Sequence, residues 1–216
     1  MFRQLLAGQA SRRVHGMYLI ILAFLCLVFL VTSGLFYYMP FTFRIACPSN
    51  LGNPVLNPGG WWVFSVLFIV AGPALVPHYV YLYRKIYPVA KALTRGIFLF
   101  LLLSAAGMTG VGIVNETTWP PHAFLAGLAF GGTGLAMSFS LPIFIRKIQL
   151  GHAWPRPRAL VVFVAIIFAF IGLMAWEFVL YGQGMVPNLF LAEWYAFFGV
   201  FTWIFGVFFL LPREGE

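Results

Sequence analysis

The 216-residue chain is 62% hydrophobic and only 8% charged, and it contains no aspartate. Soluble domains average about 25% charged residues, so this composition cannot cover a surface that faces water. It excludes a cytosolic enzyme, a disordered chain and a small secreted module held by disulfides. A polytopic membrane protein remains.

Six apolar stretches have about the length of a membrane span, which is roughly 20 residues for about 30 Å of hydrocarbon. The predicted spans cover residues 17–39, 60–83, 93–114, 122–145, 159–181 and 188–211. Backbone groups in lipid must be hydrogen-bonded within their own segment, so each span is predicted to be helical. The connectors are too short for an extramembrane domain. We therefore predict an all-α fold: a six-transmembrane-helix bundle that forms a single integral membrane domain over residues 1–216.

The basic residues predict the orientation of this bundle. Twelve of the 13 Lys and Arg residues precede the first span, lie between spans two and three or four and five, or follow span six. Only Arg44 lies on the other side. The positive-inside rule then places both termini in the cytoplasm, most simply of a prokaryotic cytoplasmic membrane, with the first span uncleaved. The net charge of +8 is explained by loops that contact anionic lipid, and no nucleic-acid partner is predicted.

Small residues in spans three and four predict where these two helices approach each other. The pairs are Ala106 with Gly110 and Gly127 with Gly131, and Gly134 follows one turn later. Small residues four positions apart are the usual contact between membrane helices.

Ionisable residues near or within spans are costly there and are therefore candidates for function. On the predicted outer side these are Glu116, His122, Glu177 and Glu193, and the first outer loop adds Arg44, Ser49, Asn50 and Asn53. One interpretation is structural, with Arg44 paired to one glutamate and the other residues capping helices. The other is a polar pocket at headgroup depth, with Arg44, Asn50, Asn53, Glu116, Glu177 and Glu193 as ligand-binding residues.

The same pocket could carry catalysis if the protein is an enzyme. His122 would act as general base, Glu193 would orient it, and Ser49 would be the nucleophile. A Glu and His set would also suit zinc or calcium, but no HExxH or similar spacing is present, so no metal site is predicted.

The remaining histidines and the two cysteines predict no cofactor. His15 and His152 lie in basic segments and are expected to be solvated, whereas His78 is expected to be hydrogen-bonded inside the bundle. Haem held by two histidines needs both at matching depth, and only His78 lies within a span. Cys47, in the first outer loop, is predicted to react with an impermeant thiol reagent unless that loop is packed over the pocket.

Four short motifs resemble a known group of membrane proteins. They are Ser49-Asn50-Leu51-Gly52 with Asn53-Pro54, Asn57 leading into Trp61 and Trp62, Gly107-Met108 with Val111-Gly112 before His122, and Ala192-Glu193-Trp194. Over about residues 15–211 the chain resembles six-span prokaryotic families of unknown function that are distantly similar to Frag/DRAM-type proteins. Those families commonly carry Ser-Glu-Leu-Gly in the loop, and this chain has Asn50 in the glutamate position.

The resemblance implies a six-helix topology, a polar outer pocket near His122 and Glu193, and lipid as the ligand. Three functions stay open. The first is a protein that binds membrane lipids, or a membrane-protein partner or second copy, through the outer pocket. The second is an intramembrane acyl transferase or hydrolase that uses His122 and a glutamate. The third, a small-solute transporter, is disfavoured because no acid lies at the midplane and no inverted repeat is evident.

Overall fold

The computed structural model describes residues 2–39, 41–43, 46–149, 157–182 and 189–211, and these residues form helices and connecting turns without strands. In chain order the helices are α1 (Phe2–Leu6), α2 (Arg12–Leu35), α3 (Pro48–Leu51), α4 (Trp61–Ile86), α5 (Lys91–Ile113), α6 (Pro121–Gln149), α7 (Pro157–Gly182) and α8 (Leu189–Gly206), followed by a 3-10 turn, Val207–Leu210. The all-helical fold is confirmed.

Five helices in the described part of the chain are long and apolar enough to cross a membrane. They are α2, α4, α5, Pro121–Lys147 of α6, and Leu191–Leu210, which joins α8 to its 3-10 turn. A further apolar helix, Pro157–Leu173 within α7, is shorter. Many of their outward side chains are large and apolar, such as Ile20, Phe24 and Val31 of α2, each about 60% exposed or more. Such a surface suits lipid, not water, and is consistent with integration into a membrane.

Glycines allow α4, α5 and α6 to pack closely as consecutive antiparallel neighbours. A Cβ at Gly72 of α4 would lie 2.4 Å from the carbonyl oxygen of Ala105, and one at Gly107 of α5 would lie 2.5 Å from the nitrogen of Ala129. On α6, Gly132 has the same role, because its Cβ would lie 2.6 Å from the carbonyl oxygen of Phe100. Only glycine permits these backbone approaches.

The predicted packing residues were partly wrong. Gly110 does pack, against Leu125, but a Cβ at Gly127, Gly131 or Gly134 would meet nothing within 4 Å. Ala106 is exposed, and its neighbour Gly107 makes the close contact. The helices are apolar on every side, so the spacing of small residues alone does not determine which face of a helix packs.

The start of α2 packs against the end of the last helix. Ser11 caps α2 by accepting a hydrogen bond from the Val14 amide at 3.4 Å. The guanidinium of Arg12 donates to the carbonyl oxygens of Leu211 and Phe208. The first and last spanning helices are therefore joined at the end of the bundle where most basic side chains lie, which we call the basic end.

His15 is fully buried at the basic end, so its predicted solvation was wrong. Its Nε2 lies 3.0 Å from Nδ1 of His78, and its ring stacks on Tyr81 with the centroids 3.9 Å apart. His78 in turn donates from Nε2 to the carbonyl oxygen of Ile204 at 2.8 Å, which confirms the hydrogen bond expected for it inside the bundle. The two histidines face each other unexpectedly, but their direct hydrogen bond leaves no space for a haem iron between them.

Candidate functional site

Residues 46–60 form the second part of the connection between α2 and α4, and we call this part the first loop. It is anchored by Asn57. This side chain is fully buried. Its Nδ2 donates to the carbonyl oxygens of Ser33, 3.1 Å away, and Leu51, 2.9 Å away, and its Oδ1 accepts from the amide of Gly60 at 3.2 Å. One amide thus joins the end of α2, the middle of the loop and the start of α4.

A second set of bonds ties the first loop to Glu116 in the connector between α5 and α6. Asn50 donates from Nδ2 to Oε1 of Glu116 at 2.8 Å, and Asn53 donates to the same oxygen. The orientation of both amides is determined because their oxygens accept backbone N–H groups, from Cys47 and Val55 respectively. Glu116 is therefore stabilised by neutral donors.

A third set of bonds ties the first loop to α8. Oε1 of Glu193 accepts from the amide of Ser49 at 3.0 Å, and Oε2 accepts from its hydroxyl at 3.1 Å. The indole of Trp194 donates to the carbonyl oxygen of Ala46 at 2.7 Å. The loop therefore lies across this end of the bundle, which we call the loop end, and is fastened to it at three places.

Beneath the loop lies a cavity of about 80 Å³ between α4, α5, α6 and α8. Its walls are mostly apolar and include Phe68, Met108, Ala126, Phe197 and Phe201. The polar residues that reach it are Ser49, His122 and Glu193. At roughly 10–15 Å³ for each water-sized group, the cavity accommodates a short stretch of alkyl chain.

His122 lies at the start of α6 and is only 4% exposed. Its Nδ1 donates to the carbonyl oxygen of Val114 at 2.6 Å. A carbonyl can only accept, so Nδ1 carries a proton, and in the tautomer with one ring proton Nε2 keeps its lone pair. The orienting partner of His122 is thus a backbone carbonyl, whereas Glu193 is bonded to Ser49.

Cys47 is packed into the loop and is only 5% exposed. Its Sγ lies 3.1 Å from Oγ of Ser49. Burial raises the pKa of the Cys47 thiol to about 12, and the charge of Glu193 adds to this increase. The thiolate is the reactive form, so the structure favours the case in which the loop covers Cys47 and prevents its labelling.

The structure divides the predicted site residues into two groups. Ser49, His122 and Glu193 meet at the cavity, and Asn50, Asn53 and Glu116 form the separate network above it. Arg44 and the side chain of Glu177 lie outside the described residues. Among the residues that the structure describes, no three His, Cys, Asp or Glu side chains are grouped so that they could hold a metal ion.

Sequence reasoning missed the structural roles of Cys47 and of Ser33, whose hydroxyl donates to the carbonyl oxygen of Gly60 at 3.0 Å. Ser33 resembles any small polar residue near a helix end. The start of the short helix α3 has a clearer sequence signal. Pro48 is its first residue, and the side-chain oxygen of Asn50, at the third position, accepts a hydrogen bond from the amide of Cys47. Proline at the first position and a polar side chain at the third are typical of a helix start.

Comparison with protein-family models, curated proteins and solved structures finds no match to this chain. The proposed function is therefore based on the geometry of the cavity and the first loop.

Proposed function

We propose that this chain is an integral protein of a prokaryotic cytoplasmic membrane that binds the alkyl chain of a membrane lipid in the cavity beneath the first loop. The proposal includes six spans with both termini in the cytoplasm. It is supported by the five long apolar helices, by the apolar helix α7, and by the location of 12 of the 13 basic residues. The loop end then faces outward, at the depth of the outer headgroups.

The observation that carries this proposal is the polarity of the cavity. Its walls are hydrocarbon over most of their surface, and its three polar residues, Ser49, His122 and Glu193, approach it from the loop end. Apolar cavities exclude water and bind apolar groups. In a membrane the abundant apolar ligand is a lipid chain, and polar groups at one end of a pocket orient its head.

The test is photolabelling with a hydrocarbon probe that carries a diazirine and no polar head. In liposomes the wild-type protein should be labelled on the cavity-facing part of α8, which includes Phe197 and Phe201. Replacement of Ala126 by Leu fills the cavity and should reduce this labelling about fivefold, since the loss of 1 kcal/mol of binding has roughly that effect.

The matched control is Gly127→Leu on the same helix. A Cβ at Gly127 enters open space, so this variant should be labelled on α8 like the wild type. Equal labelling of α8 in Ala126→Leu and in the wild type would reject the cavity as a binding site. The lipids bound by the protein would then have to lie on its outer surface.

A second function, acyl transfer or hydrolysis, is favoured by one observation. The hydroxyl of Ser49 already donates to a carboxylate oxygen of Glu193, beside a cavity that His122 also reaches. Ser49 would attack the ester carbonyl as its hydroxyl proton passes to the Glu193 carboxylate. When the ester C–O bond breaks, the resulting carboxylic acid would return that proton to the departing alkoxide, so an alcohol leaves and the acyl group stays on Ser49. Mass spectrometry of the Ser49 peptide after incubation with lipid tests this function, and a lipid product that Ser49→Ala still forms would contradict it.

A further inference from the structure

The polar side chains around the cavity have already used their strong hydrogen-bond donors. Ser49 donates both its amide and its hydroxyl proton to Glu193. His122 donates its Nδ1 proton to Val114. The hydrogen-bonding atoms left on these side chains are therefore acceptors: Nε2 of His122, through its lone pair, and the carboxylate oxygens of Glu193. The other lining side chains are aliphatic or aromatic, apart from the sulfur atoms of Cys26 and Met108.

The charged side chains that the structure describes at this end of the bundle, those of Glu116 and Glu193, are both acidic. Glu193 reaches the cavity and Glu116 lies in the network above it. In the described part of the chain the basic side chains lie on the other end, in α1, at the start of α2, the end of α4, the start of α5, the end of α6 and the start of α7. From the described residues that line the cavity, an anionic head would gain neither a cation nor a strong donor in exchange for its lost hydration.

We propose that the cavity selects a lipid chain whose head carries a free hydroxyl and no negative charge. The hydroxyl donates to Nε2 of His122, and the carboxylate of Glu193 excludes phosphate and carboxylate heads. This inference rests on the proposed lipid-binding function and specifies its ligand class: neutral lipids with a free hydroxyl, such as a monoacylglycerol or a long-chain alcohol.

The experiment compares three photoactivatable probes with the same medium-length chain and with a hydroxyl, a carboxylate or a phosphate monoester as head. Each is added to liposomes containing the wild-type protein at about pH 8, where both anionic heads are ionised. Labelling of the cavity face of α8 is normalised to labelling of lipid-facing residues of α2, which corrects for partition into the bilayer. The alcohol should label α8 about tenfold more than either anion, which corresponds to about 1.4 kcal/mol. Equal or stronger labelling by an anionic probe would overturn the proposal.

Two variants test whether Glu193 and His122 cause the preference for the alcohol probe. Glu193→Gln replaces the carboxylate with a group that has a donor and no charge, so the preference for the alcohol over the carboxylate probe should fall about fivefold or more. His122→Leu removes the acceptor and should reduce labelling by the alcohol about threefold to tenfold, with the anionic probes unaffected. Gly127→Ala is the control that should change neither ratio.

The headless hydrocarbon probe separates the two proposals. If it labels α8 but the alcohol has no advantage over the anions, the cavity binds lipid chains and the inferred selectivity is wrong. If neither it nor the alcohol labels α8, the proposed lipid binding fails and this inference fails with it. Thermal unfolding of Glu193→Gln and His122→Leu shows whether a lost preference for the alcohol probe results from a lost fold. A variant that unfolds like the wild type but keeps the wild-type preference also contradicts the proposal.

Discussion

Asn50 shows how one residue can serve both local structure and the site. Its side-chain oxygen accepts from the amide of Cys47 at the start of α3, and its Nδ2 donates to Glu116. An ionised glutamate at position 50 would place a second carboxylate against Glu116, and like charges at that distance repel. An asparagine at position 50 is therefore compatible with Glu116 as the carboxylate of this network.

The location of these polar residues near one end of the bundle was predictable from the sequence, but their hydrogen-bond partners were not. An acid or a histidine at the end of an apolar span stands out, so Ser49, Glu116, His122 and Glu193 were all expected near one end of the bundle. Which side chain meets which depends on the rotation of each helix about its axis. Glu193 was expected to orient His122, yet its hydrogen bonds are to Ser49.

At the residue scale, Cys47 should alkylate far more slowly than an exposed thiol. A pKa of about 12 in place of 9.0 lowers the thiolate fraction at about pH 8 by roughly a thousandfold. The measurement is the rate of reaction with an impermeant maleimide in native membranes and again in denaturant, where the rate should become that of an ordinary thiol. Rapid reaction of native Cys47 would show that the first loop is open.

The helices α4, α5 and α6 form the closest packing among the described elements. The side of each helix that makes these contacts could not be predicted from its apolar sequence. In a helix of a water-soluble protein, the polar face lies toward solvent, so the opposite, apolar face is known to be the one that packs. Here both faces are apolar, so the choice between Ala106 and Gly107, or between Gly131 and Gly132, could not be made from spacing. The existence and approximate limits of the helices were predictable because the thickness of the hydrocarbon determines their length.

At the element scale, Gly107→Ala should destabilise the bundle, whereas Gly127→Ala should not. Both changes gain the same helix propensity, roughly 1 kcal/mol. Only the first places a Cβ 2.5 Å from the backbone of the neighbouring helix, and overpacking of this kind costs about 1–3 kcal/mol. Thermal unfolding of the purified variants measures the difference. Equal stability of the two variants would show that α5 and α6 are further apart than described.

At the scale of the whole molecule, the predicted spans correspond to helices whose ends are displaced by a few residues. The first span was predicted to begin at residue 17, whereas α2 begins at Arg12. The basic residues at 12 and 13 suggested a solvated segment before the span. In the structure they belong to the first helical turn, and this brings His15 to face α4.

The proposed topology gives a labelling prediction of its own. In a background with Cys26 and Cys47 replaced by alanine, Val55→Cys on the first loop should react with an impermeant reagent applied to intact cells. Gln9→Cys, before α2, should react only after the membrane is permeabilised. Both side chains are exposed, so access and not burial determines the result. The opposite pattern would invert the orientation, and labelling of both from outside would show that α2 does not cross the membrane.

The fastening of the first loop to α8 has a consequence for the order of synthesis. Ser49 and Ala46 are bonded to residues 144 and 148 positions later in the chain. Synthesis proceeds from the N-terminus, so the loop leaves the ribosome long before its last partners exist. The loop can therefore be fastened to α8 only after that helix has been made, and a chain that stops before Leu189 lacks Glu193 and Trp194, the two residues of α8 that hold the loop.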